Sequence, residues 1–162
     1  MKNFVRKAAA FITAILDVRT TFADKLSIAH AAGETILGDV IPLDTTGMNL
    51  GNTMTPVYLV IGVSTEMDSA GDAATVAFKL MSHSTEVVTS GVTHVQTPAF
   101  TEAQAVEGAI LHAQALPQGE YGEFLGLSYT IAGETSTAGA VNAYLTMDAP
   151  QGWKAYPDAI TD

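Results

Sequence analysis

The chain has 162 residues and a mass of 16.9 kDa, which suits a single domain. Hydrophobic residues make up 48% of the sequence and charged residues only 15%, where a typical soluble domain has about 25% charged residues. This composition excludes a disordered chain. It also means that uncharged side chains or a partner have to cover much of the surface.

The charges are unevenly distributed along the chain. Residues 1–25 contain five basic and two acidic residues, whereas residues 26–162 contain two basic and fifteen acidic ones. An acidic body repels phosphate, so we exclude nucleic acid as its main ligand. The sequence has no cysteine, which excludes disulfides, thiolate metal sites and cysteine nucleophiles. No apolar run approaches the roughly 18 residues of a membrane-spanning helix, and no membrane partner is expected.

Residues 1–24 form a leader with a composition of its own. Apolar residues from Phe4 to Leu16 recur at helical spacing, and the basic residues fall largely elsewhere. The pattern predicts an amphipathic helical arm over residues 1–24, followed by a body over residues 25–162 with a C-terminal tail over residues 149–162. Three roles are open for the arm: a secretory signal, a membrane-surface helix, or an arm that docks on a protein. We favour the docking arm, because the cleavage site is poor and the basic face is thin.

The body contains short stretches with the composition of strands, separated by turn signals. Residues 56–63 are rich in β-branched side chains and predict a buried central strand, and residues 75–82 alternate with a period of two. Further strands are predicted at 86–89, 92–95, 109–116, 124–131 and 140–148, with one more within 35–43. Because no strand is paired with a long helical pattern, we expect an all-β protein. The predicted fold is a jelly-roll-like antiparallel β-sandwich of about eight strands.

The connections between these stretches also carry predictions. Residues 68–72 predict a turn, and residues 133–139 predict a loop rich in Ser, Thr and Gly. Residues 101–108 predict one short helical turn, because Thr101 and Gln104 have the spacing of a capping box.

No catalytic, cofactor-binding or metal-binding site is predicted. The four histidines lack any metal-binding spacing. Ser128 lies in a sequence that begins like a nucleophile elbow but lacks the final glycine, so we interpret it as an outward-facing strand residue. Asp68 and Asp72 only faintly resemble a calcium loop, and we interpret them as a solvated hairpin tip. Glu120 and Glu123 are interpreted as ordinary turn residues.

Several segments together resemble a known family. They are Ile15–Asp17, Thr21–Asp24, Ile41–Asp44, Tyr58–Ile61, Ala73–Leu80, Leu145–Asp148 and the ending Trp153 … Tyr156-Pro157-Asp158. The sequence from about residue 15 to 162 resembles the jelly-roll capsid cement, or decoration, proteins of tailed bacteriophages. The resemblance implies a β-sandwich subunit, usually trimeric, on the outer capsid surface, where major capsid subunits meet. It implies neither catalysis nor a cofactor. The basic segment 1–14 departs from the family pattern.

The resulting hypothesis is a structural virion protein whose partners are the major capsid protein and further copies of itself. Its expected contact residues lie in the arm and the tail: Phe4, Arg6, Lys7, Phe11, Ile12, Ile15, Leu16, Trp153 and Tyr156. One alternative is a secreted carbohydrate-binding sandwich with residues 1–23 as its signal peptide. Another is an enzyme on a jelly-roll scaffold, which would need clustered histidine ligands that the sequence does not suggest.

Overall fold

The computed structural model describes residues 20–43, 50–52 and 56–148, and these residues form ten strands. The strands are β1 (Thr21–Ser27), β2 (Gly33–Ile36), β3 (Ile41–Pro42), β4 (Tyr58–Ser69), β5 (Thr75–His83), β6 (Val92–Gln96), β7 (Phe100–Thr101), β8 (Ile110–Ala115), β9 (Phe124–Ala132) and β10 (Ser136–Thr146). Two short 3-10 turns lie at Leu50–Asn52 and Val88–Ser90. No helix within the described ranges is long and apolar enough to cross a membrane.

The strands form two antiparallel sheets. Sheet A has the order β1-β10-β4-β8, and sheet B has the order β2-β9-β5-β6. Two short strands extend sheet B, because β3 pairs with β9 and β7 pairs with β5. Between β1 and β10, the chain changes sheet at every connection except β2–β3, β5–β6 and β6–β7. Strands that are neighbours in a sheet are therefore mostly distant in sequence.

The hydrophobic core lies between the two sheets. Alternate residues of β4 and β10 contribute to it from sheet A, and alternate residues of β5 and β9 from sheet B. The fully buried side chains include Phe22, Leu59, Phe78 and Leu127. Because one buried cluster unites both sheets, the predicted antiparallel β-sandwich is confirmed.

The structure corrects the predicted boundary between arm and body. Residues 21–24, which the sequence pattern placed in the arm, belong to β1, and Phe22 is only 1% exposed. The body therefore begins no later than Thr21, since burial of Phe22 requires the strand to pair. The predicted helix over residues 1–19 and the tail over residues 149–162 lie outside the described residues.

Two smaller predictions were also wrong. Residues 136–139 belong to β10 rather than to a loop, because they pair with the end of β4. Residues 86–89 form no strand, and a 3-10 turn begins at Val88. The predicted helical turn is present at residues 101–105, since the Ala105 N–H donates to the Thr101 carbonyl at 3.0 Å. The Thr101 amide also donates to Gln104 Oε1 at 3.0 Å, as in one half of a capping box.

Candidate interaction surface

The outward face of sheet A carries no charged side chain over its central part. On β4 and β10, residues that alternate with the core members Leu59, Ile61, Ala143 and Leu145 must point away from sheet B. We call this surface the uncharged face, and its members are Tyr58, Val60, Gly62, Ile110, Ala113, Ala115, Asn142, Tyr144 and Thr146. A surface of this size without charged residues is unusual in a protein with a net charge of −10.

Cross-strand pairs build the uncharged face. Val60 lies directly opposite Tyr144 on one side and Ala113 on the other, and it is 4% exposed although it is not part of the core between the sheets. Burial raises the pKa of the Tyr144 hydroxyl. Ile110 lies opposite Gly62 and is 59% exposed, so the apolar surface continues to the edge of the sheet.

Beside β1, a hydrogen bond from the backbone to the Asn142 side chain stabilises the edge of this face. The Asn142 Oδ1 atom accepts a hydrogen bond from the backbone N–H of Lys25 at 2.6 Å. Lys25 has a φ of 49° and lies where the register of β1 against β10 shifts. Asn142 therefore stabilises β1, the irregular edge strand that directly follows the leader.

The outward face of sheet B is different, because it carries an ion pair. Lys79 Nζ lies 2.7 Å from Glu34 Oε1, and the Ser128 hydroxyl donates to the same oxygen at 2.8 Å. The hydrogen bond from Lys79, followed by that from Ser128, lowers the pKa of Glu34. Ser128 is on the outward side as predicted, but it is fully buried under this pair. Its hydroxyl therefore already donates to a carboxylate.

A second part of the sheet B face is covered by the chain itself. Val88, in the 3-10 turn, packs over Gly126, where an added Cβ would overlap the Val88 side chain. Val88 and the neighbouring Met81 are 1% and 2% exposed. Sheet B is thus both charged and covered on its outside, whereas the central part of the sheet A face, within the described residues, has neither feature. The exposed acidic residues Glu66 and Asp68 lie further along β4.

A serine and a histidine meet at one end of sheet B. Ser82 Oγ lies 2.7 Å from His94 Nε2 and accepts the N–H of Gly122 at 2.8 Å. The His94 ring stacks on Tyr121 at 3.9 Å between centroids, and the Tyr121 hydroxyl donates to the carbonyl of Pro117 at 2.7 Å. Ser82 is 2% exposed, so no substrate reaches its hydroxyl. The group ties residues 117–122 to β5 and β6.

The side chains of the other three histidines make polar or ring contacts of their own or none. His30 packs edge-on against Tyr129, and His83 Nδ1 lies 2.8 Å from the Thr85 hydroxyl. His112 has a buried Nε2 with no hydrogen-bond partner. Burial lowers the pKa of both His94 and His112.

These two histidines predict a loss of stability in mild acid. A histidine whose pKa is lowered by folding binds its proton more readily in the unfolded chain, so stability is full above about pH 6.5 and falls below it. We expect the free energy of unfolding to decrease between pH 7 and pH 5, measured by urea denaturation. In a variant with His94→Gln and His112→Gln, the slope over this interval should largely disappear. An unchanged slope in that variant would contradict the assignment.

Acidic side chains gather at the opposite end of the sandwich. Carboxylate oxygens of Asp68, Asp72 and Glu102 lie within 4.8 Å of one another and line a groove of about 710 Å³. Glu102 Oε1 accepts hydrogen bonds from the Ser69 hydroxyl at 2.5 Å and from the Ala74 N–H at 3.1 Å. The loop after β4 thus already uses Glu102 as an acceptor. It is not the predicted hairpin tip, because β4 and β5 lie in different sheets and the loop crosses between them. Oxygen ligands of this kind suit a hard cation, but nothing else at this end points to one.

The nine contact residues predicted from the sequence all lie outside the described residues, so they stay predictions. The uncharged face was not predicted from the sequence. The only feature of the sequence that pointed to such a surface was the low overall content of charged residues.

Comparison with known proteins places the body in a family. A family model named Bbp16 matches residues 22–145, which run from the second residue of β1 to the penultimate residue of β10. The chain belongs to the Bbp16 family. This family is phage-related, and the Bbp16 match covers both sheets and the whole described core. A search of curated proteins found no match.

Proposed function

We propose that this Bbp16 protein is a structural component of the phage particle. It would act as a cement, or decoration, protein on the outer surface of the head, bound where major capsid subunits meet. The observation that carries the proposal is the Bbp16 match over residues 22–145, since this family is phage-related.

The fold supports the proposal. Counting β2 with β3 and β6 with β7 as single positions leaves eight strand positions, four in each sheet. Eight strands in two sheets, joined mainly by connections between the sheets, are the architecture of a jelly roll, which is widespread in capsid proteins. We therefore infer a jelly roll, the fold that the sequence resemblance implies.

The surface chemistry supports a role in binding rather than in catalysis. The Ser82–His94 pair is closed to substrates, and the Ser128 hydroxyl donates to a carboxylate. The acidic body is unsuited to packaged nucleic acid, which fits a place outside the shell. The uncharged face offers apolar surface for contact with a protein segment. The proposed assembly is a homotrimer, and attachment at many equivalent sites strengthens modest individual contacts.

The test is attachment to phage heads that lack this protein. Purified protein should elute at about three times 16.9 kDa and should sediment with expanded heads. Deleting residues 1–16 should weaken attachment at least about tenfold, because this segment contains most of the predicted contacts. The deletion should weaken attachment more than it lowers the stability of the body, since the core between the sheets begins at Phe22. A monomer that fails to bind heads would contradict the proposal.

A matched variant separates the leader from the body in this assay. Lys79→Ala removes the ion pair on sheet B and leaves the leader intact. This variant should bind heads as the parent protein does, because an exposed ion pair contributes little to stability. Loss of attachment in Lys79→Ala alone would assign the capsid contact to sheet B instead.

A further inference from the structure

We propose that the N-terminal leader packs its apolar side on the uncharged face of the same subunit. The proposal concerns the isolated protein and does not depend on attachment to a phage head. It assigns an occupant to the one outward sheet face that, within the described residues, has neither an ion pair nor a covering turn.

The position where the leader joins the body favours this arrangement. Thr21, the first residue of β1, has Tyr144 as its partner on β10, and Tyr144 is a member of the uncharged face. The predicted apolar stripe ends at Leu16, so four residues, 17–20, connect it to the sheet. A connection of this length lets a helix fold back over the adjoining strands. The short tether also gives the leader a high effective concentration at this surface.

The dimensions agree as well. A helix over residues 4–16 would be about 20 Å long and about 10 Å wide with its side chains. The uncharged face spans about five residues along each strand and about three strands across, or roughly 17 Å by 14 Å. One helix therefore covers this face with little left over.

The same dimensions argue against a second copy as the occupant. The face offers roughly 240 Å² in projection, whereas a stable interface between two proteins buries about 800 Å² on each partner. A covalently attached helix needs no such area.

The chemistry of the two surfaces is complementary. At helical spacing, the side chains of Phe4, Phe11, Ile12, Ile15 and Leu16 fall within one sector. Arg6 falls in the opposite sector, and Lys2 and Lys7 lie at the borders of the stripe. On the sheet, the small residues Gly62 and Ala113 lie among the larger residues Tyr58, Val60 and Tyr144. Docking would bury the apolar stripe. It would also direct the basic side chains outward, where they would be available to an acidic neighbour.

Disulfide trapping tests the proposal, because the natural chain contains no cysteine. Ile12→Cys is combined with Ala113→Cys on the uncharged face. The matched control combines Ile12→Cys with Thr130→Cys, a half-buried position like Ala113 but on the outward face of sheet B. Phe11→Cys and Ile15→Cys replace Ile12→Cys in parallel variants, because disulfides form only over short Cα distances. Arg6→Cys with Ala113→Cys reports on the basic side of the leader.

The variants are oxidised at low protein concentration and analysed by non-reducing electrophoresis and intact mass. For at least one position in the stripe, we expect the yield of intrachain disulfide to be about tenfold higher with position 113 than with position 130. The reason is that docking raises the effective concentration of the stripe beside position 113. The Arg6→Cys pair should react like the control. Urea denaturation under reducing conditions checks that each variant still folds.

Two results would overturn the proposal. Covalent dimers through position 113 would mean that the leader of a neighbouring copy occupies the face. Equal trapping at positions 113 and 130, or none at either in folded variants, would mean that the leader does not dock there. Neither result depends on attachment to heads, so the failure of this proposal and that of the proposed function are distinguishable.

Discussion

Replacing Phe22 with alanine should lower the free energy of unfolding by about 3–5 kcal/mol, the range found when large aromatic side chains are removed from a core. Phe22 is 1% exposed and belongs to the cluster between the two sheets. Its backbone carbonyl also accepts the N–H of Asp39 at 2.9 Å, so the residue joins β1 to the segment after β2. Urea denaturation at pH 7.5, followed by circular dichroism, measures the loss.

Leu26→Ala is the matched control on the same strand. Leu26 is 38% exposed, so its truncation should cost well under half as much as that of Phe22. The comparison tests whether β1 belongs to the body or to the leader. Equal small effects at both positions would contradict the burial of Phe22 and restore the boundary that the sequence pattern suggested.

Among glycine-to-alanine substitutions in the described part of the chain, Gly38→Ala should lower the free energy of unfolding most. Gly38 has a φ of +64°, and a Cβ at this position would overlap the backbone carbonyl oxygen of Phe22. We expect a loss of about 2–6 kcal/mol, since left-handed strain and steric overlap each cost about 1–3 kcal/mol. The midpoint of urea unfolding reports it, and the protein should remain folded at low temperature.

Gly108→Ala is the control that separates the cost of left-handed backbone strain from the cost of steric overlap at Gly38. Gly108 has a φ of +83°, but an added Cβ would meet no atom within 4 Å. This substitution should therefore cost only the backbone term, about 1–2 kcal/mol. If both alanine variants lost the same stability, the close approach of Gly38 to Phe22 would not be a feature of the folded protein.

The predicted strands came from hydrophobic alternation, and they were most accurate where that alternation is strong. Residues 75–82 and 124–131 differ by one residue from β5 and β9, because Val76, Phe78, Leu127 and Ile131 mark the core side clearly. The start of β10 was missed, because Ser136 and Gly139 carry no hydrophobic signal. Ser136 is 2% exposed, and its hydroxyl donates to the Ala138 carbonyl at 2.8 Å. Pairing with β4 makes this segment a strand.

The clusters of polar side chains could not be predicted, because they join distant parts of the chain. Ser82 meets His94 twelve residues later and Gly122 forty residues later. Glu34 meets Lys79 across the two strands that flank β9, and Ser128 on β9 completes the group. These contacts follow from the order of strands in sheet B, which no local pattern specifies.

The sequence by itself determined the all-β class, the separation of a basic leader from an acidic body, and the low charge of the surface. Each of these depends on composition or on local periodicity, which act over a few neighbouring residues. Only the tertiary structure decided that β1 begins by Thr21 and that the uncharged residues of β4, β8 and β10 form one face. The physical reason is register: the pairing of remote strands decides which side chains share a surface.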